Sequence, residues 1–129
     1  MRNYFEIKTK LPSLNEVTYK NRSNKYSGNS YKRDIQDIIG YFIKEAVLKK
    51  TLRVPKAYPC ILRIIWLEKT KKRDVDNIQS SQKFVLDALV ECGIFIDDSR
   101  KYISQIFHSV EDAESDGVIV EIFEKEERK

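Results

Sequence analysis

Apolar residues recur along this chain with two different periods, and the periods mark out its elements. "YFEIKTKL" (4–11) sets apolar against polar residues closely enough to predict a first strand. From Pro12 to Asn29 there is no period; Ser, Asn, Lys and Tyr dominate, and a long exposed loop is expected. Ser30 suits the cap of a helix in which Ile35, Ile38, Ile39, Phe42, Ile43, Ala46 and Val47 recur three and four apart. Pro55 and Pro59 punctuate the exit. "CILRIIWLEKT" (60–70) is apolar and β-branched enough for a central strand that runs straight into "KKRDVDN" (71–77).

Helical spacing returns after Asn77. Ile78, Val85, Leu86, Ala88, Leu89 and Cys92 cover one broad face, and Gly93 supplies a stop. At about 100° per residue, Asp76, Ser80, Lys83 and Asp87 share the opposite sector, so a helix beginning near Asp76 carries Lys83 on the face of that carboxylate. "GIFIDDSRKY" (93–102) reads as a short strand or turn. "YISQIFHSV" (102–110) and "GVIVEIF" (117–123) read as closing strands, with "DAESDG" as the hairpin connection between them. The expected fold is α/β: one domain over residues 1–129, a small mixed β-sheet with two main helices.

A chain of 129 residues buries roughly two thirds of its unfolded surface, so it needs no covalent staples. Cys60 and Cys92 both lie in apolar stretches and read as small core residues of a reducing compartment. No CxxC or Cys/His cluster suggests a zinc site. The amino terminus lacks the apolar core of a signal peptide, and no run approaches the roughly 18 apolar residues of a membrane span. A soluble cytoplasmic protein with no membrane partner is expected.

The net charge of +4 is modest, but its distribution is uneven. No acid occurs from Val17 to Arg33, where Lys20, Arg22, Lys25, Lys32 and Arg33 interleave with Tyr19, Tyr26 and Tyr31. Such a segment suits either a surface that tracks a nucleic-acid backbone and stacks bases or plain disorder.

"KKRDVDN" places Asp74 and Asp76 one residue apart behind Lys71, Lys72 and Arg73. A solvated turn explains this blandly. A divalent cation explains it chemically: Mg²⁺ or Mn²⁺ takes a few carboxylates and leaves room for water and phosphate. On an extended strand, D-x-D side chains share one face. Asp97 and Asp98 follow after one helix, and a strand–helix–strand return is expected to bring the acidic segments together. If extended, only one of that second pair can join the same ion, and spacing does not say which. His108, beside Phe107 in a strand pattern, reads as structural, Asp87 as a helix or Lys83 partner, and Arg100 and Lys101 as solvated cations.

The run "KRDVDNIQSSQKFVLDALVECGIFIDDSRKY", with "LPSLNE" near the amino terminus, resembles the RusA family of Holliday junction resolvases. That resemblance implies a homodimeric, Mg²⁺-dependent (or Mn²⁺-dependent) endodeoxyribonuclease of DNA recombination and repair, cutting four-way junctions by paired symmetric nicks in a bacterial or phage-infected cell. It implies Asp74, Asp76 and Asp98 as catalytic, metal-binding carboxylates and Lys83 as the active-site lysine. Asn15 sits where the family loop carries an asparagine, which gives it a DNA contact or an Asx turn. Lys20, Arg22 and Lys25 extend the DNA-binding surface, and Arg73 either contacts phosphate or screens Asp74. The competing reading is a noncatalytic protein binding branched or single-stranded DNA, with the acids in structural roles.

Overall fold

The computed structural model describes residues 2–13 and 25–125, with the backbone alone over 25–30. Four strands and three helices follow in the order β1 (Tyr4–Ile7), α1 (Lys25–Leu48), β2 (Cys60–Glu68), α2 (Val75–Gln79), α3 (Gln82–Glu91), β3 (Ile103–Asp112) and β4 (Gly117–Phe123). The result is the expected α/β domain, a mixed four-stranded sheet with two main helices, α1 and α3.

The sheet order is β1-β4-β2-β3, with β2 parallel to β3 and antiparallel to β4, and β4 antiparallel to β1. Alternation decides what faces the helices. Phe5, Ile7, Leu62, Ile64, Trp66, Val118, Val120 and Ile122 are buried, against Ile35, Ile39, Ile43, Val85, Ala88 and Leu89 of α1 and α3. Ile39 and Ile43 are wholly removed from solvent, so truncating either to alanine is expected to cost about 2–5 kcal/mol. Gly93 has a φ of 79°, the left-handed conformation of a helix stop. At Gly117 the constraint is proximity: a Cβ there would lie 2.9 Å from the Ile7 carbonyl oxygen where β4 meets β1.

Several expectations need correction. The helix assigned to start at Ser30 begins at Lys25, so the predicted 12–29 loop loses its last five residues to α1. Gly28 is tolerated inside it, at a cost of about 1 kcal/mol. The helix expected after Asn77 is two helices. Ser80 and Ser81 keep negative φ, but ψ relaxes to −19° and −5°, and the Ser81 N–H bonds Ile78 at three residues' spacing, 3.3 Å. Of the two alternatives for residues 93–102, a short strand or a turn, the structure has the turn. "DAESDG" is no hairpin, because β3 and β4 flank β2 on opposite sides. β2 is the most apolar strand and takes the sheet's interior, so the β3–β4 link must cross its end. There the Ala113 N–H bonds the Glu68 carbonyl at 3.0 Å and the Lys69 N–H bonds Asp116 Oδ1 at 2.8 Å.

Candidate metal and nucleic-acid site

At the carboxyl end of β2 the chain leaves the sheet through Glu68, a carboxylate at the edge of the core with only 8% of its side chain exposed. Burying such a charge demands a partner. Arg73 supplies it: Nε and Nη2 donate to Glu68 Oε1 and Oε2 at 3.1 and 2.8 Å, while Nη1 donates to the Leu11 carbonyl at 2.9 Å. The paired geometry suits guanidinium and carboxylate. Of the cations before Asp74, Arg73 is therefore turned inward, and Lys71 and Lys72 stay exposed.

The same spot anchors the amino-terminal segment a second time. Ser81 is fully buried at the α2–α3 junction, and its hydroxyl donates to the Pro12 carbonyl. Leu11 and Ser13 are buried here as well. The turn bearing Asp74 and Asp76 thus rests on residues 11–13.

Asp74 is the N-cap of α2, with extended backbone (φ −72°, ψ 152°) and no side-chain cap bond. Asp76 lies inside the first helical turn, and its Oδ1 accepts the Asn77 N–H at 3.0 Å. The D-x-D pair is accordingly not on an extended strand, because the chain turns helical between the two carboxylates. Both are exposed. The Asp74 carboxylate has no hydrogen bond or ion pair among the described residues, and its backbone carbonyl accepts the Ile78 N–H at 3.0 Å.

Lys83, in the first turn of α3, is 71% exposed and reaches Asp87 Oδ2 at 3.9 Å. The pairing with Asp87 matches the sequence expectation. Asp76 and Lys83 stand on two successive helices, α2 and α3, joined at Ser80–Ser81, rather than on the single helix expected from the sequence.

Asp97 and Asp98 lie in the turn before β3. The Asp97 carboxyl is held below its usual range by the Ser99 hydroxyl and the Ser99 N–H, the latter at 2.8 Å, with Lys101 adding to the effect. Asp98 is exposed and unpaired among the described residues.

The expected meeting of the two acidic segments does not occur within one chain. β2 and β3 are parallel, with Cys60 opposite Ile103 at one end and Glu68 opposite Asp112 at the other. A crossover between parallel strands leaves from one end of the sheet and returns at the opposite end. Arg73 is tied to Glu68, whereas the Ser99 carbonyl accepts the Ile103 N–H at 3.0 Å beside Cys60. Eight strand steps, roughly 26 Å, separate those ends. Consistently, no three His, Cys, Asp or Glu side chains are gathered to hold a metal among the described residues.

Asn15, Lys20 and Arg22 lie outside the described residues, as does the side chain of Lys25. Sequence reasoning missed the roles of Glu68 and Ser81. A lone acid ending an apolar strand was the available signal for Glu68; nothing local marks Ser81. Neither the models of known protein families nor the curated proteins compared with this chain give a match. No helix among the described residues is long and apolar enough to cross a membrane.

Proposed function

We propose that this chain is a Mg²⁺-dependent endodeoxyribonuclease that resolves four-way DNA junctions as a homodimer. The observation that carries the proposal is the set Asp74, Asp76, Lys83 and Asp98 in the order of the RusA pattern, with the carboxylates of Asp74 and Asp98 uncommitted to any described partner. Asp74 and Asp76 offer hard oxygen donors at adjoining positions, which suits an ion that takes one or two carboxylates and keeps sites for water and phosphate. Bound there, Mg²⁺ or Mn²⁺ would supply a nucleophile from water and charge stabilisation at the scissile phosphate.

The residues themselves divide the work. Asp74 and Asp76 hold the ion, exposed lysines 69, 71 and 72 attract the DNA backbone, and Lys83 places a point positive charge beside a phosphate. Asp98 sits at the far end of the sheet, so it serves the same ion only from a second copy: Asp74 and Asp76 of one protomer with Asp98 of the partner subunit. Twofold symmetry then makes two such sites, matching two symmetric nicks.

A second reading is favoured by the position of the acids on α2. The charges of Asp74 and Asp76 at the start of α2 favour the positive end of the helix without any metal, as in a noncatalytic protein that binds branched or single-stranded DNA. Asparagine substitutions separate the two. Under the nuclease proposal, Asp74→Asn, Asp76→Asn and Asp98→Asn each abolish Mg²⁺-dependent junction cleavage and leave junction binding intact or tighter. Wild-type protein that binds junctions and never cuts them supports the second reading.

A further inference from the structure

The chain contains one tryptophan and one histidine, Trp66 and His108, and they are bonded to each other. Trp66 Nε1–H, on the buried face of β2, donates to His108 Nδ1 of β3 at 2.9 Å. His108 Nε2 lies 2.7 Å from Gln82 Oε1, on the first residue of α3. The rings are 12° from coplanar with centroids 6.0 Å apart, so they meet edge to edge through the hydrogen bond.

This geometry fixes the protonation state. An indole N–H only donates, so Nδ1 must offer a bare lone pair and the imidazole proton must sit on Nε2, where it donates to Gln82. Both ring nitrogens are satisfied only when the ring is neutral. Protonation would set the Nδ1 hydrogen against the indole hydrogen.

Among the described residues, the groups that bond the ring or share its face are uncharged: Trp66 and the register partner Ile64 from β2, Gln82 from α3, and Ile106 and Val110 on the same face of β3. Burial alone pushes the imidazole below its usual value. The consequence for pH runs one way. With the folded value depressed, the contribution of His108 to stability is complete above the unfolded value of about 6.5 and is lost as pH falls from there toward the folded value.

Gln82 immediately precedes Lys83. The start of α3 is thus held from two sides, by Ser81 on Pro12 and by Gln82 on His108. We infer that His108 is a positioning residue for the first turn of α3, and that its neutral Nε2–H form holds Lys83 in working geometry while protonation releases that turn. The claim about Lys83 rests on the proposed nuclease reading; the hydrogen-bonded bridge does not.

The test uses the full chain with His108→Gln and His108→Ala. Glutamine keeps an acceptor for Trp66 and a donor for Gln82 but does not titrate. Imidazole ¹⁵N shifts, the single indole N–H resonance and the single-tryptophan fluorescence are followed from pH 8 to 5. Wild type is expected to show the Nε2–H tautomer and one titration below about 6.5, absent in His108→Gln. On a four-way junction at pH 8, His108→Ala is expected to lose about tenfold or more in kcat with little change in KM, and His108→Gln to stay within about threefold of wild type. The wild-type acid limb follows the tryptophan titration, and that of His108→Gln does not. An Nδ1–H tautomer, a titration at or above 6.5, or a kcat for His108→Ala equal to wild type overturns the inference. If the spectroscopic results hold but no variant cuts DNA at any pH, the bridge stands, and both the nuclease proposal and the role given to Lys83 fall.

Discussion

Replacing Arg73 with alanine isolates the interaction that fixes the acidic turn to the sheet. The guanidinium is 13% exposed and Glu68 8%, so water cannot take over the lost bonds. Alanine leaves the Glu68 carboxylate buried without a counter-charge and the Leu11 carbonyl without its donor. Removing one partner of such a pair costs about 3–5 kcal/mol, set against a total of roughly 5–15 kcal/mol for a domain. At this chain length that is a fall in Tm on the order of 10–20 °C. The assay is thermal and urea unfolding by circular dichroism, with Glu68→Leu/Arg73→Met as the control. Two apolar groups of similar size need no partner, so the double variant is expected to recover most of the loss. A Tm for Arg73→Ala within about 2 °C of wild type, combined with weakened DNA binding, would refute this account and place the guanidinium on phosphate instead.

Other substitutions test neighbouring parts of the account. Lys83→Ala is expected to lower turnover at saturating junction more than it lowers affinity, measured by single-turnover cleavage against binding titration; an equal loss in both puts Lys83 in the general basic surface. Neutralising Lys20, Arg22 and Lys25 together is expected to weaken binding and reduce the dependence of log Kd on log salt by about 2–3, and an unchanged slope removes that segment from the interface. Mixed Asp76→Asn and Asp98→Asn subunits are expected to regain cleavage through one repaired site per heterodimer, whereas a site formed within single chains stays dead in the mixture.

Much of the fold was legible because burial imposes a period. The run from Cys60 to Leu67 announced a central strand, the three-and-four spacing from Ile35 to Val47 announced α1, and Gly93 marked the end of α3. What the pattern could not convey was which strands are neighbours. β3 and β4 are consecutive and both apolar enough to pair, yet β2 lies between them. That arrangement arises from long-range packing and leaves no local trace. The candidate site divides in the same way. Residue types and spacing singled out Asp74 and Asp76, only the resemblance pointed to Asp98 and to a site role for Lys83, and the Asx turn at Asp97 distinguishes it from its neighbour. The sequence could not convey that parallel pairing sends the acidic segments to opposite ends of the sheet. Nor could it tell which of Lys71, Lys72 and Arg73 turns inward, since that depends on Glu68 and the Leu11 carbonyl meeting in three dimensions.

The central claim is tested most directly by incubating the purified protein with a strand-labelled synthetic four-way junction in Mg²⁺ and mapping every break. The account predicts two nicks at positions related by the junction's twofold symmetry, with ends that ligase reseals, no cleavage in EDTA, and far slower cutting of the matched linear duplex. Junction binding with no Mg²⁺-dependent break, or equal cutting of junction and duplex, would contradict it.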